Sequence, residues 1–559
     1  MECKILIGGE AGQGIQTISN ILSKYFFRIG YYVFTIESYQ SRIRGGHNYS
    51  LLRISDKPIY AIDNEKVDIL IALNLETIRL HLNEVKEGGH IFCDESIKTE
   101  EFLGDDRIIK IPVKQITQEL RSKLVENTIF VGALLALSSG DIDEMRKIIA
   151  ETFKQEYFDI NMRALEEGYK YARDLNRSCG SFLKRGRDNR LLLNGAEAVG
   201  FGAMVSGCKF LASYPMTPGT AVMNFIAEHE LDFDVVVEQA EDEIAAINMA
   251  IGAFFAGARS MVTTSGGGFA LMVEGLSLAG MTETPVVIHI GQRPGPATGL
   301  PTRTEQGDLN FVVHAGHGEF VRYVTAPRDQ KDAFYKTIKA FELAEKYQIP
   351  SIILTDQYLI DSKAVIEELN PPSEIKFYRV KADTNYLRHK ITEDGVSPFA
   401  IPGESEALVI TDSDEHDEEG HITEDLSIRK RMVEKRMKKL NLLLKEIEEP
   451  SYFGVENPEI IFIGWGSTYG VIKEGIERLI REGYPIGHLH FSDVYPIVNE
   501  HLEKYKGIKL YTIEQNYQGQ FAALLRKETG VDVKRGLVKY NGFPFYVEEI
   551  IKGVKELMG

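Results

Sequence analysis

Short apolar runs alternate with longer amphipathic stretches along most of the chain. Residues 4–7, 68–73 and 351–355 are apolar runs typical of buried strands. The stretches between such runs have the spacing of helices that are apolar on one side. Because strand–helix alternation favours parallel sheets covered by helices, the predicted fold class is α/β. Functional loops are then expected at the carboxyl ends of the strands.

One predicted helix carries an acid on its apolar face. Three valines at 235–237 are typical of a short strand, and the residues that follow have helical spacing. Glu243 shares its helical face with Ala246, Ile247, Ala250 and Phe254. Burying an acid costs free energy unless a partner or a proton compensates for the charge. Two interpretations stay open: Glu243 is an ordinary first-turn acid favoured by the helix dipole, or it is a functional carboxyl.

A glycine-rich turn joins the first strand to the first helix. The letters GGEAGQG at 8–14 follow the strand at 4–7, and a helix is predicted over 15–29. Backbone N–H groups at such a turn can approach an anion, with Gly12 and Gly14 keeping side chains away. The spacing differs from GxGxxG, although Glu37 ends the next strand where a ribose-binding acid would sit. A nucleotide, another phosphate-bearing ligand, a neighbouring active site or simple close packing all fit this turn.

The next segment pairs two arginines with two glycines. Residues 41–48 read SRIRGGHN, so Arg42 and Arg44 precede a glycine pair. Arginine binds phosphate or carboxylate through a planar fork, and glycine lets a ligand approach the backbone. The alternative is a surface loop with incidental arginines.

Composition excludes several classes of protein. The 559 residues suggest three or four domains, and a net charge of −18 argues against nucleic-acid or acidic-membrane binding. No apolar run is long enough to span a bilayer and no basic leader begins the chain, so a cytoplasmic location is expected. The cysteines form no CxxC pair. We therefore expect free thiols and neither a zinc site nor an iron–sulfur cluster in this chain.

Several motifs occur in a fixed order along the chain. Each motif alone is weak evidence for a protein family, but the ordered set is specific. They are GGEAGQG with SRIRGGHN, NGAEAVGFGA with YPMTPGT, EQAEDEIAAINMAIGA, TTSGGGFALMVEGLSLAG and GPATGLPTRTEQGDL. Together they resemble the 2-oxoacid:ferredoxin oxidoreductases, in the form where a gamma domain is fused ahead of the alpha chain. The resemblance implies a gamma-type α/β domain at 1–180 and a thiamine-diphosphate pyrimidine-binding domain at 190–370.

The remainder of the chain is predicted to be a linker and a last domain. A linker with a long helix occupies 371–450, and its acidic loop at 412–421 is predicted to be solvated, with metal binding as the alternative. Residues 451–559 resemble the C-terminal domain of transketolase, including VYPI and EQNYQGQ.

The resemblance assigns chemistry to named residues. Such enzymes (EC 1.2.7 type) use thiamine diphosphate to decarboxylate a 2-oxoacid, pass electrons to ferredoxin and release an acyl-CoA. Glu243 matches the catalytic glutamate that contacts the aminopyrimidine ring, with Glu238 as the fallback. Tyr214, Pro215 and Thr217 lie in the cofactor-side turn, and the Thr217 hydroxyl faces the substrate. Arg303 matches the arginine for the substrate carboxylate, with Arg293 as its competitor.

Parts of the expected active site are missing from the sequence. There is no GDG motif for Mg²⁺ and no cysteine set for a cluster. The resemblance therefore implies a beta subunit that supplies the diphosphate side, Mg²⁺ and [4Fe-4S] clusters, and a dimer of heterodimers is the expected assembly. Coenzyme A is expected near Gly12, Gly14, Arg42 and Arg44.

The substrate is expected to be 2-oxoglutarate. Pyruvate, a branched-chain or broad 2-oxoacid range, and a ferredoxin-independent thiamine enzyme half are the enzymatic alternatives. A CoA- or nucleotide-binding regulatory subunit is the non-enzymatic one.

Overall fold

The computed structural model describes residues 2–40, 46–102, 104–186 and 188–559. The strands are β1 Glu2–Glu10, β2 Tyr32–Ser38, β3 His47–Ser55, β4 Val67–Ala72, β5 Val85–Asp94, β6 Ile108–Ile111, β7 Leu191–Asn194, β8 Phe210–Ser213, β9 Val236–Gln239, β10 Ser260–Thr264, β11 Val286–Gln292, β12 Tyr323–Thr325, β13 Pro350–Asp356, β14 Lys363–Ile366, β15 Ser451–Gly454, β16 Ile460–Trp465, β17 Ile486–Phe491, β18 Asp493–Tyr495, β19 Lys509–Glu514 and β20 Val533–Val538.

Helices alternate with these strands through most of the chain. They are α1 Ile15–Arg28, α2 Leu75–His81, α3 Val113–Glu119, α4 Glu126–Leu137, α5 Ile142–Thr152, α6 Gln155–Arg173, α7 Gly195–Val205, α8 Thr220–Glu228, α9 Glu230–Phe233, α10 Glu243–Phe255, α11 Gly266–Phe269, α12 Val273–Thr282, α13 Leu309–His314, α14 Gln330–Tyr347, α15 Gln357–Asp361, α16 Leu426–Leu443, α17 Tyr469–Arg481, α18 Glu500–Glu503, α19 Gln520–Thr529 and α20 Val547–Met558. The predicted α/β class is confirmed.

The chain divides into two compact units. The first comprises Met1–Leu193 with Ser362–Glu368, and the second comprises Asn194–Asp361 with Leu369–Gly559. The first unit contains an eight-stranded sheet in the order β6-β5-β4-β1-β3-β2-β14-β7. Strand β1 pairs in parallel with β4 and antiparallel with β3, so this sheet is mixed.

Strands β3, β6, β7 and β14 of this sheet were not predicted. His47 and Asn48, the last residues of the arginine–glycine segment, begin β3 and pair with Glu10 and Gly9 of β1. Strand β14, from residues far along the chain, pairs antiparallel with β2. Strands β3 and β14 were missed for one reason, because pairing with distant strands overrides the local sequence signal.

The second unit contains the parallel sheet predicted from strand–helix alternation. Its order is β18-β12-β13-β11-β10-β8-β9, and the neighbours from β12 to β9 all run parallel. Strand β18 joins the edge antiparallel to β12. Since parallel strands end at the same edge, the residues that follow β8, β10 and β11 meet at one place.

A second sheet in the same unit forms the predicted α/β fold of residues 451–559. Its order is β15-β17-β16-β19-β20, with the edge strand β15 antiparallel and the other neighbours parallel. One apolar cluster contains residues of both sheets, including Ile288 and Trp465. The two sheets of the second unit therefore share a core.

The predicted linker packs into the second unit. Lys435 and Lys439 of α16 both form buried ion pairs with Glu283, and Arg388 donates to the Glu283 carbonyl oxygen at 2.7 Å. The expectation of a fully solvated acidic loop is wrong in part, because His416 is fully buried with its ring 3.9 Å from that of His389. The acidic composition of the loop did not indicate that His416 would be buried against a second histidine.

Within the described ranges, no helix combines the length and the apolar character required to cross a membrane.

Candidate active site

Three connections meet at the carboxyl edge of the parallel sheet. The turn after β8 packs tightly on the neighbouring strand ends: a Cβ atom at Gly219 would lie 2.6 Å from the Thr264 carbonyl oxygen. A Cβ atom at Gly291 would lie 2.7 Å from Pro218 Cγ. Because glycine alone permits this approach, the YPMTPG turn is held directly over the ends of β10 and β11.

Glu243 begins α10 beside this edge. Its side chain is buried, with 3% of the residue exposed, and it shares the buried helix face with Ala246, Ile247, Ala250, Ile251 and Phe254. The face predicted from helical spacing is confirmed. Asp242 caps the helix by accepting from the Ala245 N–H at 2.7 Å, so the acid that holds the helix end is Asp242 and not Glu243. Glu238, the fallback, is exposed.

Three buried oxygen atoms at this edge have no hydrogen-bond partner. They are Glu243 Oε1, Thr264 Oγ1 and Ser265 Oγ. Leaving a buried polar group unsatisfied costs about 1–3 kcal/mol. A cluster of such atoms indicates a surface built to meet a ligand.

A three-glycine turn follows β10 and brings these groups together. A Cβ atom at Gly268 would overlap Thr264 Oγ1 and lie 2.6 Å from Glu243 Oε1. At Gly267, by contrast, a Cβ atom would have only the Ala297 carbonyl oxygen near it, at 3.7 Å. The three glycines themselves form the short helix α11, and α12 begins four residues after it ends.

The two candidate arginines occupy different surroundings. Arg293 Nη1 donates to the Thr217 carbonyl oxygen at 2.7 Å, and burial lowers the pKa of its guanidinium. Arg303 lies against the Phe543 ring, 4.9 Å from its centroid. The structure thus brings Arg293 together with Thr217 and leaves Arg303 at the contact with the C-terminal sheet domain.

The remaining predicted residues of this turn lie at the surface. Tyr214 has 40% of its surface exposed, and Pro215 is exposed as well. Both side chains lie at the surface, so their proposed part in cofactor binding stays a prediction.

Two acids near Arg293 were missed by the sequence analysis. Burial raises the pKa of Asp308 to about 6, although the charge of Arg293 opposes this shift. Burial, followed by the charge of Asp308, raises the pKa of Glu305 to about 7. The letters TEQGD contained the acids, but nothing local distinguished them from solvated loop residues.

His289 shows that a buried histidine here is structural. It bridges Thr263 Oγ1 and Thr355 Oγ1 at 2.8 Å each, and burial lowers its pKa to about 3. It is therefore a neutral hydrogen-bonding link between strands, which agrees with its omission from the candidates.

The glycine-rich turn of the first unit opens on a cavity of about 340 Å³. Gly12 and Gly14 both have positive φ, at 91° and 78°, a conformation that favours glycine. Gln16 Nε2 donates to Glu37 Oε2 at 2.6 Å across the same cavity. Arg42 and Arg44 lie outside the described residues.

Comparisons with known proteins agree in every part of the chain. The family model described as pyruvate flavodoxin/ferredoxin oxidoreductase, thiamine diP-bdg, matches residues 201–435, and the model described as pyruvate ferredoxin/flavodoxin oxidoreductase matches residues 4–171. The 2-oxoacid:ferredoxin oxidoreductase subunit alpha of a Sulfolobus species is 36% identical over 100% of this chain and 98% of its own length. The chain belongs to this family of 2-oxoacid:ferredoxin oxidoreductase alpha subunits.

Further relatives extend the family match. The 2-oxoglutarate oxidoreductase subunit KorA of Mycobacterium tuberculosis is 27% identical over 98% of this chain and 90% of its own length. A solved 2-oxoglutarate:ferredoxin oxidoreductase from Magnetococcus marinus, with 2-oxoglutarate, coenzyme A and succinyl-CoA bound, superposes with a TM-score of 0.91. It is 31% identical, with complete coverage of both chains. This alpha subunit is therefore part of an EC 1.2.7 oxidoreductase, and as an alpha subunit it implies further subunits.

The thiamine-binding region matched in the alpha subunit fits that cofactor physically. Residues 201–435 contain the glycine turn, Thr217, Arg293 and the three unpartnered oxygen atoms around Glu243. A flat heterocycle with ring nitrogen and amino groups would supply hydrogen-bond partners for these oxygen atoms. The glycines would keep side chains out of its way.

Proposed function

We propose that this chain is the gamma–alpha subunit of an enzyme that converts 2-oxoglutarate and coenzyme A to succinyl-CoA and CO₂. The electrons pass to ferredoxin through a beta subunit. The buried, unpartnered Oε1 atom of Glu243 beside the three-glycine turn carries this proposal. The names of the Mycobacterium tuberculosis and Magnetococcus marinus relatives support the choice of substrate.

Glu243 is the proposed catalytic residue. Thiamine diphosphate, when bound, supplies the nucleophilic carbon that attacks the 2-oxo group and the electron sink for decarboxylation. Glu243 Oε1, which has no hydrogen-bond partner among the described residues, would hold the aminopyrimidine ring by a hydrogen bond and exchange a proton with it. Gly268 admits this contact because any side chain there would displace Glu243.

Thr217 and Arg293 are the proposed substrate residues. The carbonyl oxygen of Thr217 accepts from Arg293 Nη1, which orients the guanidinium and leaves its other N–H groups for a carboxylate. The Thr217 hydroxyl can donate to the substrate from the same turn. We accordingly prefer Arg293 to Arg303 for the substrate carboxylate.

The beta subunit is proposed to hold Mg²⁺ and the [4Fe-4S] clusters, in a dimer of heterodimers. Burial raises the pKa of Cys93 to about 11 and that of Cys179 and Cys208 to about 12, so these side chains stay thiols at neutral pH. Iron–sulfur clusters are ligated by thiolates. The absence of a CxxC pair from the sequence also supports placing the clusters in the beta subunit.

Coenzyme A is proposed to bind at the cavity beside Gly12 and Gly14. The first turn of α1 lines this cavity, and its unpaired N–H groups suit a phosphate. Arg42 and Arg44 are the proposed cationic contacts. If Arg44→Ala left the KM for coenzyme A unchanged, the assignment of Arg44 would be wrong.

The decisive experiment is co-expression with the adjacent beta chain, followed by assay of a 2-oxoacid panel with a viologen dye. We expect 2-oxoglutarate to give the highest kcat/KM. Glu243→Gln, which keeps the size of the side chain, should lower turnover of every substrate by at least about 10³-fold, the scale of losing a positioned proton-transfer group. Appreciable residual activity would overturn the role of Glu243, and preference for pyruvate or a branched-chain acid would change only the substrate.

A further inference from the structure

The loop at 293–308, called the substrate loop below, is bonded near its end to the C-terminal sheet domain at 451–559. The side chain of Gln306 is fully buried, and its Nε2 donates to the Trp465 carbonyl oxygen at 2.9 Å. Its Oε1 accepts from the Gln515 N–H at 3.1 Å, and its own N–H donates to the Gln515 carbonyl oxygen at 2.7 Å. Gln306 is thus held by this domain through both its backbone and its side chain.

Further hydrogen bonds hold the same end of the substrate loop. Gln520 Nε2 donates to the Gly307 carbonyl oxygen at 2.7 Å, and Gln520 Oε1 accepts from the Asn310 N–H at 2.9 Å. The Thr304 N–H donates to the Gly542 carbonyl oxygen at 3.2 Å. The C-terminal sheet domain therefore bonds the loop before and after its buried glutamine.

The start of the substrate loop is held by the parallel sheet instead. Gln292, the last residue of β11, donates from Nε2 to the Thr355 carbonyl oxygen at 3.1 Å, and its Oε1 accepts from the Asp308 N–H at 3.0 Å. Arg293 directly follows this strand, and Arg303 lies further along the loop. Both candidate arginines therefore lie between two points at which glutamine amides fix the loop.

Gln306 binds at the place where a sheet of this type holds a ligand. In the order β15-β17-β16-β19-β20, the chain goes from β16 to β17 on one side and then to β19 on the other. Ligands of open parallel sheets bind at such a switch point, outside the carboxyl ends of the strands. Trp465 ends β16 and Gln515 directly follows β19. The amide of Gln306 therefore fills the switch point of the C-terminal sheet domain.

We propose that the C-terminal sheet domain holds the substrate loop at its strand ends, and that Gln306 is the positioning residue of this contact for the 2-oxoacid. The proposal rests on the proposed function, which supplies a carboxylate for an arginine of the loop. It holds whether Arg293 or Arg303 receives that carboxylate, since both lie on the loop. The C-terminal sheet domain then contributes to substrate affinity through the loop.

The physical reason is the cost of ordering a long loop. The substrate loop is rich in glycine and proline. A loop that is fixed before the substrate arrives loses less conformational entropy on binding than a free one. Loss of the Gln306 amide would leave buried backbone groups of Trp465 and Gln515 without partners. The loop would shift to satisfy them, and the arginines would move with it.

The first test is Gln306→Met in the holoenzyme with its beta subunit. Methionine has nearly the same size as glutamine but makes none of the amide hydrogen bonds. The KM for the preferred 2-oxoacid should rise by about tenfold, because small misplacements of positioning groups are costly. The kcat should change by less than about threefold, which is the sign of lost uniform binding. The KM for coenzyme A should stay at its wild-type value.

Gln348→Met is the matched control. Gln348 is a buried glutamine of the same unit, and its Oε1 accepts from Arg388 Nη1 at 2.7 Å while its Nε2 donates to the Ser397 carbonyl oxygen at 2.5 Å. These partners lie outside the substrate loop. The control should lose thermal stability and keep the wild-type KM. An unchanged KM for Gln306→Met, or an equal rise for both glutamine variants, overturns the proposal.

Gly466→Ala disturbs the same amide from the C-terminal sheet domain and covers the case in which Gln306→Met folds poorly. A Cβ atom at Gly466, whose φ is 58°, would lie 2.9 Å from Gln306 Nε2. The methyl group should move the amide and raise the KM for the 2-oxoacid by about 3- to 10-fold. Gly530→Ala controls for backbone strain, since its φ is 70° and its Cβ atom would meet no described atom within 4 Å. Equal KM values for the two glycine variants would contradict the proposal.

These outcomes are distinguishable from failure of the proposed function. A wild-type enzyme that uses a 2-oxoacid, with Gln306→Met and Gly466→Ala matching it in KM, overturns the role of Gln306 alone. Full turnover by Glu243→Gln overturns the proposed catalytic residue and leaves the role of Gln306 standing on its own KM values. Failure of the wild-type holoenzyme to use any 2-oxoacid overturns the proposed function, and the role of Gln306 falls with it.

Discussion

Two glycine-rich turns, one in each unit, use the same local structure for different purposes. Each follows the carboxyl end of a strand and leads into a helix: β1 into α1, and β10 into α11. In the first, a Cβ atom at Gly14 would overlap the amide nitrogen of Asn127. In the second, Cβ atoms at Gly266 and Gly268 would meet the carboxyl groups of Asp308 and Glu243.

The difference lies in the chemistry of the neighbours. The turn of the first unit faces a neutral amide and a cavity, an arrangement suited to recognising a ligand by hydrogen bonds. The turn of the second unit faces the buried carboxyl of Glu243 and the half-buried carboxyl of Asp308, an arrangement suited to moving protons. A glycine indicates that another group packs closely against the backbone. The chemistry of that group then indicates whether the turn is suited to ligand binding or to proton transfer.

Among the variants that test this comparison, the largest effect is expected from Gly268→Ala. The new methyl group would push Glu243 away from its position, so kcat should fall by at least about 10²-fold, as expected for a misplaced proton-transfer group. Gly267→Ala is the matched control, since its Cβ atom meets only one carbonyl oxygen at 3.7 Å. Thermal melts should show that Gly267→Ala folds as the wild type does. Equal kcat values for the Gly268 variant and the wild type would contradict the close contact with Glu243.

Next in size is the contrast between the two arginines of the substrate loop. Arg293→Ala should raise the KM for 2-oxoglutarate by about 10- to 100-fold, because a charge-assisted pair contributes about 1.5–3 kcal/mol. Arg303→Ala should change the KM by less than about threefold and act mainly on stability through its contact with Phe543. Steady-state kinetics of both variants decide the matter. A larger rise in KM for Arg303→Ala than for Arg293→Ala would assign the substrate carboxylate to Arg303.

A smaller effect tests the turn of the first unit. Gly14→Ala should raise the KM for coenzyme A by about tenfold, because the methyl group would displace Asn127 and strain a residue with φ of 78°. Gly12→Ala shares the positive φ but meets no atom within 4 Å, so it separates backbone strain from displacement. Both variants should leave the KM for the 2-oxoacid unchanged. An effect on the 2-oxoacid alone would remove the distinction between the two turns.

The smallest effect concerns stability. The pKa of Asp308 rises from its ordinary value of 3.8 to about 6 on folding, so ionisation of this carboxyl opposes folding. The contribution of its protonated form is fully present below pH 4 and is lost as the pH rises through 6. Asp308→Asn should therefore raise Tm by about 1–3 °C at pH 8 and by less at pH 5. Melts that shift equally at both pH values would show that the effect is unrelated to ionisation.

Features that depend on residues close in sequence were predicted correctly, and features that depend on contacts between distant residues were not. The buried face of α10 was predictable because Glu243 and its apolar neighbours repeat with the helical period. The glycine turns were visible for the same local reason. The hydrogen bond from Arg293 to the Thr217 carbonyl oxygen, on which the proposed preference for Arg293 rests, was not visible, because Thr217 lies 76 positions earlier in the chain.

The sequence by itself determined three features of this protein. They are the α/β alternation, the parallel direction of the strands in the sheet that carries the site, and the acid on an apolar helix face. Each depends on periodicity within about one helix length. Only the tertiary structure decided that β3 and β14 enter the first sheet, that His416 is buried, and that Asp308 shares the glycine turn with Glu243. These results come from contacts between distant segments, whose free energies depend on burial and pairing that no local pattern encodes.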